Sequence, residues 1–157
     1  MYFSDKRNLT RWIIIIASFF IVSLILWNTY TFFQIFKSEE RLKMQVWAAA
    51  QKSLLQADLE NDNVDLNLEI LSSNKTIPLI KLENNVIISH ANIDESVAKD
   101  SISLYAFLNE LKKQNEPIKI EYDQGKSQYV YYGDSALITK LKYYPVALFL
   151  IIILFAT

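Results

Sequence analysis

The hydrophobic positions of this chain form two uncharged blocks near its ends, with a periodic pattern between them. From Trp12 to Phe36 there are 25 residues without a charge, bracketed by Arg11 and Lys37. A helix rises about 1.5 Å per residue and needs roughly 20 residues to cross a hydrocarbon core of about 30 Å, so this run is long enough. Trp12 lies at one border and Trp27 and Tyr30 at the other, where amphipathic rings favour the headgroup level. A cleavable signal peptide also begins with cations such as Lys6, Arg7 and Arg11 before an apolar run. The residues after Leu26, WNTYTFFQIF, lack the small side chains that a cleavage site needs. The pattern therefore predicts a retained signal anchor over 12–36. The second block, YYPVALFLIIILFAT over 143–157, extends only about 22 Å as a helix. It is read as the start of a second transmembrane helix, truncated, within the front part of a longer protein.

Between the blocks the pattern predicts one folded domain over 37–142. From Lys37 to about Leu59 the chain is rich in helix formers and has no Gly or Pro, which predicts that the first span continues outward as one rod. Met44, Trp47, Ala48, Gln51, Leu54 and Leu55 share one helical stripe. Leu42, Val46 and Ala49 could form a second stripe, suited either to ordinary packing or to a coiled-coil dimer seam. After a polar turn at 60–64, Leu66, Leu68 and Ile70 alternate with polar residues and predict a strand. Two short apolar runs, 77–82 and 86–89, flank Glu83-Asn84-Asn85 and predict a hairpin with positive φ at an asparagine, Pro78 standing at the strand start. Asp94, Ser96 or Asp100 would cap a following helix with the stripe Leu104, Phe107, Leu108 and Leu111, ending at Lys112-Lys113 and Asn115-Glu116-Pro117. A second hairpin is predicted from Ile118 to Tyr132 around Asp123-Gln124-Gly125-Lys126. The expected class is α+β, an antiparallel sheet domain with a long N-terminal helix, flanked by two transmembrane helices.

Composition narrows the function classes. Sixteen cations against 17 anions give a net charge of −1, so there is no basic surface for nucleic acid. Two glycines, Gly125 and Gly133, exclude glycine-rich phosphate loops. The absence of cysteine removes disulfides, thiolate metal sites and a cysteine nucleophile. Residues 1–11 hold Lys6, Arg7 and Arg11 against Asp5, which places the N-terminus in the cytoplasm and the domain outside. Residues 38–142 contain 12 cations and 16 anions, an acidic external region.

The chemistry-bearing residues are few, and none is assigned as catalytic, cofactor-binding or metal-binding. His90 is the sole histidine and reads as an exposed turn residue or as a pH sensor. Asp94, Glu95 and Asp100 could touch a cation, or cap a helix and solvate a surface. Tyr122, Tyr129, Tyr131 and Tyr132 suit cross-strand packing or a ligand pocket. Asn74-Lys75-Thr76 matches a three-residue glycosylation pattern.

Ile77-Pro78-Leu79-Ile80 followed by Val86-Ile87-Ile88-Ser89, then Tyr131-Tyr132-Gly133-Asp134-Ser135, then Leu137 to Pro145 leading into the second span form a combination that resembles the N-terminal sensor region of Gram-negative two-component sensor histidine kinases. The resemblance covers essentially the whole chain. It implies a PAS-like or Cache-like domain in the periplasm, anchored in the inner membrane as a homodimer and reading a small-molecule or protein signal. It also implies a cytoplasmic part beyond this chain, bearing the phospho-accepting histidine, binding ATP and Mg, and acting on a response regulator. None of that kinase machinery is in these 157 residues: His90 lies in SHANIDE, outside the membrane by the charge argument. The alternatives are an envelope scaffold or assembly protein with an external binding domain, and the same input module joined to a cyclase or chemoreceptor.

Overall fold

A computed structural model describes residues 2–58, 64–123 and 125–156. The first helix, α1 (Tyr2–Gln56), is continuous over 55 residues. Leu59 and the expected turn at 60–63 lie outside the described residues. The chain divides into two units: the outer lengths of the first and last helices, up to Phe36 and from Lys140, and a compact unit, Lys37–Thr139.

In the first unit, most of the large hydrophobic side chains of α1 from Leu9 to Ile35 stand exposed. Among the described residues one helix, α1 from Asn8, is long and apolar enough to cross a membrane. Two of its hydroxyls are turned back on the backbone: Thr29 Oγ1 donates to Ile25 O at 2.8 Å and Thr31 Oγ1 to Trp27 O at 3.0 Å. Such bonds satisfy a hydroxyl in apolar surroundings. The last helix, α5 (Ala136–Ala156), contains Pro145, which has no N–H to donate to the carbonyl four residues back and so weakens the helix there.

The compact unit holds one antiparallel sheet of four strands. β1 (Leu79–Glu83) and β2 (Val86–Ala91) form the first hairpin, and β3 (Ile118–Asp123) and β4 (Lys126–Tyr132) the second. The order is β2-β1-β4-β3, so β4 lies beside β1 at the centre. Asn84 and Asn85 take φ of 49° and 64°, the left-handed pair that a two-residue hairpin turn requires and that Asn tolerates. Gly125, at φ +81°, serves the second turn; Gln124 is outside the described residues. The hairpins are joined by α3 (Glu95–Ala98) and α4 (Ser101–Gln114).

Both sheet faces are covered, and strand parity decides which residue meets which helix. On one face Leu79, Val130, Tyr132 and Ile120 pack against Met44, Trp47 and Ala48 of α1. On the other, Ile80 and Leu82 pack against Leu104, Leu108 and Leu111 of α4. Of the expected stripes, Met44, Trp47, Ala48 and Gln51 on α1 and Leu104, Leu108 and Leu111 on α4 are buried, while Leu54, Leu55 and Phe107 are half-buried; each fully covered Leu or Ile contributes about 1.5–3 kcal/mol. Asp100 caps α4, accepting from Ser103 N at 2.9 Å. Asp94 stands at the start of α3 with no side-chain capping bond, and Ser96 lies inside that helix.

One expectation is corrected. The alternating stretch Leu66, Leu68, Ile70 is not a strand but part of α2 (Asp65–Ser73). Leu66 and Leu68 are exposed there, and the segment is held instead by Trp47 Nε1 donating to Leu71 O at 3.1 Å and Asn67 Nδ2 donating to Ser53 Oγ at 3.1 Å. Helix propensity next to α1 outweighs an apolar alternation with no sheet edge to join.

Candidate functional site

A dense polar arrangement in the compact unit lies where α1 passes the start of α5. Three charged residues facing this point, Lys37, Glu40 and Arg41, come from α1. Their partners come from the C-terminal end of α4 and from the Tyr132–Ser135 segment that joins β4 to α5.

Helix α5 begins after Ser135, whose Oγ accepts from Ile138 N at 3.4 Å and whose carbonyl accepts from Thr139 N at 3.0 Å. In a capping box, a Glu or Gln three residues after the cap reaches back to the cap's own N–H. Here that position is Ile138, fully buried and apolar. Glu40 supplies the carboxylate from another helix: its Oε2 accepts from Ser135 N at 3.2 Å. A negative charge there also complements the positive end of the α5 dipole.

Arg41 is the second tie. Its Nη1 donates to Glu116 O at 2.9 Å and to Tyr132 Oη at 2.8 Å, and its guanidinium lies 6.0 Å from the centre of the Tyr132 ring. Tyr132 is itself buried in the sheet core, so Arg41 connects α1 to the middle of the fold. Lys37 Nζ donates to Gln114 O at 3.3 Å and pairs with Asp134 Oδ1 at 3.6 Å. Asp134 is fixed further by Asn115 Nδ2 at 3.3 Å, and its N–H donates to Gln114 Oε1 at 2.8 Å.

Gly133 makes the close approach possible. Its N–H donates to Pro78 O at 2.9 Å, and a Cβ built on it would meet Leu111 Cδ2 at 2.7 Å, Gln114 Oε1 at 2.8 Å and Pro78 Cγ at 3.2 Å. At those distances any side chain would force the Leu111 and Gln114 side chains to shift. Four elements therefore converge on one hydrogen-bonded knot with little room to deform. Its polar groups are engaged with one another, and among the described residues no group of three or more His, Asp and Glu could hold a metal ion.

The residues singled out in the sequence lie elsewhere, apart from Tyr132. His90 is exposed on β2 opposite Ile80. Asp94, Glu95 and Asp100 stay at helix starts; Glu95 pairs with Lys99 at 2.8 Å, and the bonds from Ser103 hold the Asp100 carboxyl below its ordinary range. Tyr122 bonds Glu83 across the sheet, which raises the phenol's pKa. Tyr131 lies under Lys112 Nζ, 5.4 Å from the ring centre, and Tyr129 is exposed. Asn74 is turned inward: its Nδ2 donates to Ile77 O and its Oδ1 accepts from Ile77 N, both at 3.0 Å, so the amide a glycan would need is engaged. Sequence reasoning did not find Lys37, Glu40 and Arg41. The signals it had were the charged SEER run just after the first apolar block and the Gly-Asp-Ser before the second. Comparisons with protein-family models, curated proteins and solved structures give no match to this chain.

Proposed function

We propose that the chain is the signal-sensing and transmembrane-signalling portion of a bacterial two-component sensor histidine kinase, with a PAS-like or Cache-like domain outside the inner membrane between two membrane helices. The observation that carries this reading is the knot of Lys37, Glu40 and Arg41 on Gln114–Ser135. A domain that reports its state through two helices must hold both to its core at defined points, and this knot engages α1 and the first turn of α5 together. The sheet with its α3–α4 crossover on one face and a long helix on the other suits such a sensor.

A second observation supports a homodimer. Leu42 and Val46 are 60% and 48% exposed on α1, and with Ala49 they form an apolar stripe beside the buried one, at the spacing of a helix–helix seam. A signal that favours one arrangement of the domain shifts the population of helix positions by its differential affinity. Rigid shifts of packed helices by about 1–2 Å are an established vehicle for that. The ATP- and Mg-dependent chemistry and the response regulator belong to the cytoplasmic part of such a kinase.

The test is a chimaera in which residues 1–157 are joined in frame, through the continuation of α5, to the cytoplasmic half of a sensor kinase. Glu40→Ala and Arg41→Ala are expected to change autophosphorylation severalfold in membranes while the protein stays folded and inserted. Unchanged output from both variants would favour the envelope-scaffold alternative.

A further inference from the structure

Beyond the knot, the compact unit carries a cleft of about 460 Å³ between α1, the end of α2 and the loop leading to β1, within the size range of small-molecule sites. Leu42, Val46, Trp47 and Ile70 give it apolar walls, and Lys43 and Lys75 stand at it. Its walls are already fixed. Trp47 is pinned by its bond to Leu71 O, and the Asn74–Ile77 loop is tied by Asn74 to Ile77 and by Asn92 Nδ2, which donates to Asn74 O at 3.1 Å and Ile77 O at 2.9 Å.

The charge at the cleft runs against that of its surroundings. Residues 38–142 are acidic overall, yet among the described residues no carboxylate lines the cleft. Lys43 and Lys75 have no acidic partner at ion-pair distance among the described residues, in contrast to Lys99, Lys113, Lys119 and Lys126; Lys81 and Lys112, also without one, stand instead over the Trp47 and Tyr131 rings. An indole and aliphatic wall beside two unpaired cations matches an anion with an apolar body.

We infer that this cleft binds a small amphipathic carboxylate, an organic acid with a flat or aliphatic apolar part lying against Trp47 and Ile70 and its carboxylate between Lys43 and Lys75. The inference rests on the sensing role proposed above and names the class of signal. Leu42 and Val46 belong both to the cleft wall and to the stripe offered to a second copy, so occupancy alters the surface at which two chains meet.

The test uses the full chain in phosphatidylcholine nanodiscs, with Trp12→Phe and Trp27→Phe leaving Trp47 as the only indole, and sodium phenylacetate as the probe. Saturable change of Trp47 emission is expected. Affinity should fall about three- to tenfold for uncharged 2-phenylethanol, and by the same factor for phenylacetate with Lys43→Gln/Lys75→Gln, as two exposed ion pairs allow. Lys99→Gln/Lys126→Gln should leave it unchanged. Absence of saturation up to about 10 mM, equal affinity for acid and alcohol, or indifference to the Lys43 and Lys75 changes overturns the site. Binding without any effect on the chimaera's output would instead retain the site and sink the sensor reading; an output that responds to Glu40→Ala without phenylacetate binding would do the reverse.

Discussion

Glu40 accepts a hydrogen bond from the backbone N–H of Ser135 at 3.2 Å, across 95 positions of sequence. It completes the cap of α5 from α1, because Ile138 occupies the position from which a local Glu would act. Glu40→Ala should destabilise the compact unit by about 1 kcal/mol, and Glu40→Gln, which keeps an acceptor but loses the charge, by about half of that. Hydrogen exchange read at the Ser135 amide checks this: exchange should accelerate in Glu40→Ala, and an unchanged rate refutes the assignment.

Arg41 and Tyr132 should be energetically coupled. Arg41→Met and Tyr132→Phe each remove one side of the 2.8 Å bond, and a hydrogen bond from a charged group contributes about 1.5–3 kcal/mol. A double-mutant cycle on thermal or denaturant unfolding is expected to give an interaction energy of about 1 kcal/mol or more. Strict additivity would mean that the contact contributes nothing to α1 docking.

The two glycines should respond to alanine for different reasons. Gly133→Ala forces a methyl group against Leu111, Gln114 and Pro78, an overpacking that costs about 1–3 kcal/mol. Gly125 has open space around its Cβ position but φ +81°, so Gly125→Ala costs about 1–2 kcal/mol through backbone strain alone. Gly125→Asn should therefore recover much of the loss, while Gly133→Asn should be worse than Gly133→Ala; melting temperatures of the four variants decide it.

Asp100 gives the unit an acid-side pH dependence. Its folded carboxyl titrates below the ordinary 3.8, chiefly because the Ser103 hydroxyl and N–H bond the charged form. Its stabilisation is therefore complete above that ordinary value and is lost as pH falls through the lower folded value. The melting-temperature gap between wild type and Asp100→Asn should be constant from about pH 5 to 7 and close toward pH 3 or below. A gap that stays constant to the lowest pH contradicts the linkage.

The local parts of this fold were legible because their signals are local. Asn84-Asn85 and the Leu104–Leu111 stripe each act within a few residues and appear where the sequence places them, and Asp100 is the one of three cap candidates that caps α4. Leu66–Ile70 misled because alternation says only that a strand is possible; the neighbouring surface of α1 determines what forms. The knot was hidden for a related reason. Lys37 meets Asp134, Glu40 meets Ser135 and Arg41 meets Tyr132, all pairings over more than ninety positions that no periodicity encodes. A charged run beside an apolar block reads equally well as a solvated collar. The cleft was hidden too, since Lys43 and Lys75 come to line one cleft only once the fold brings α1 beside the end of α2 and the loop after it.

The central claim is that α1 is a signalling rod, anchored to the domain through one stripe and offered to a second copy through another. Single cysteines placed from Glu40 to Ser53 in this cysteine-free chain and oxidised in native membranes test it most directly. Crosslinking between copies is expected to peak at Leu42, Val46, Ala49 and Ser53, and to be absent at Met44, Ala48 and Gln51, which are buried against the sheet domain. Crosslinking that is absent throughout, or that follows no helical period, would contradict it.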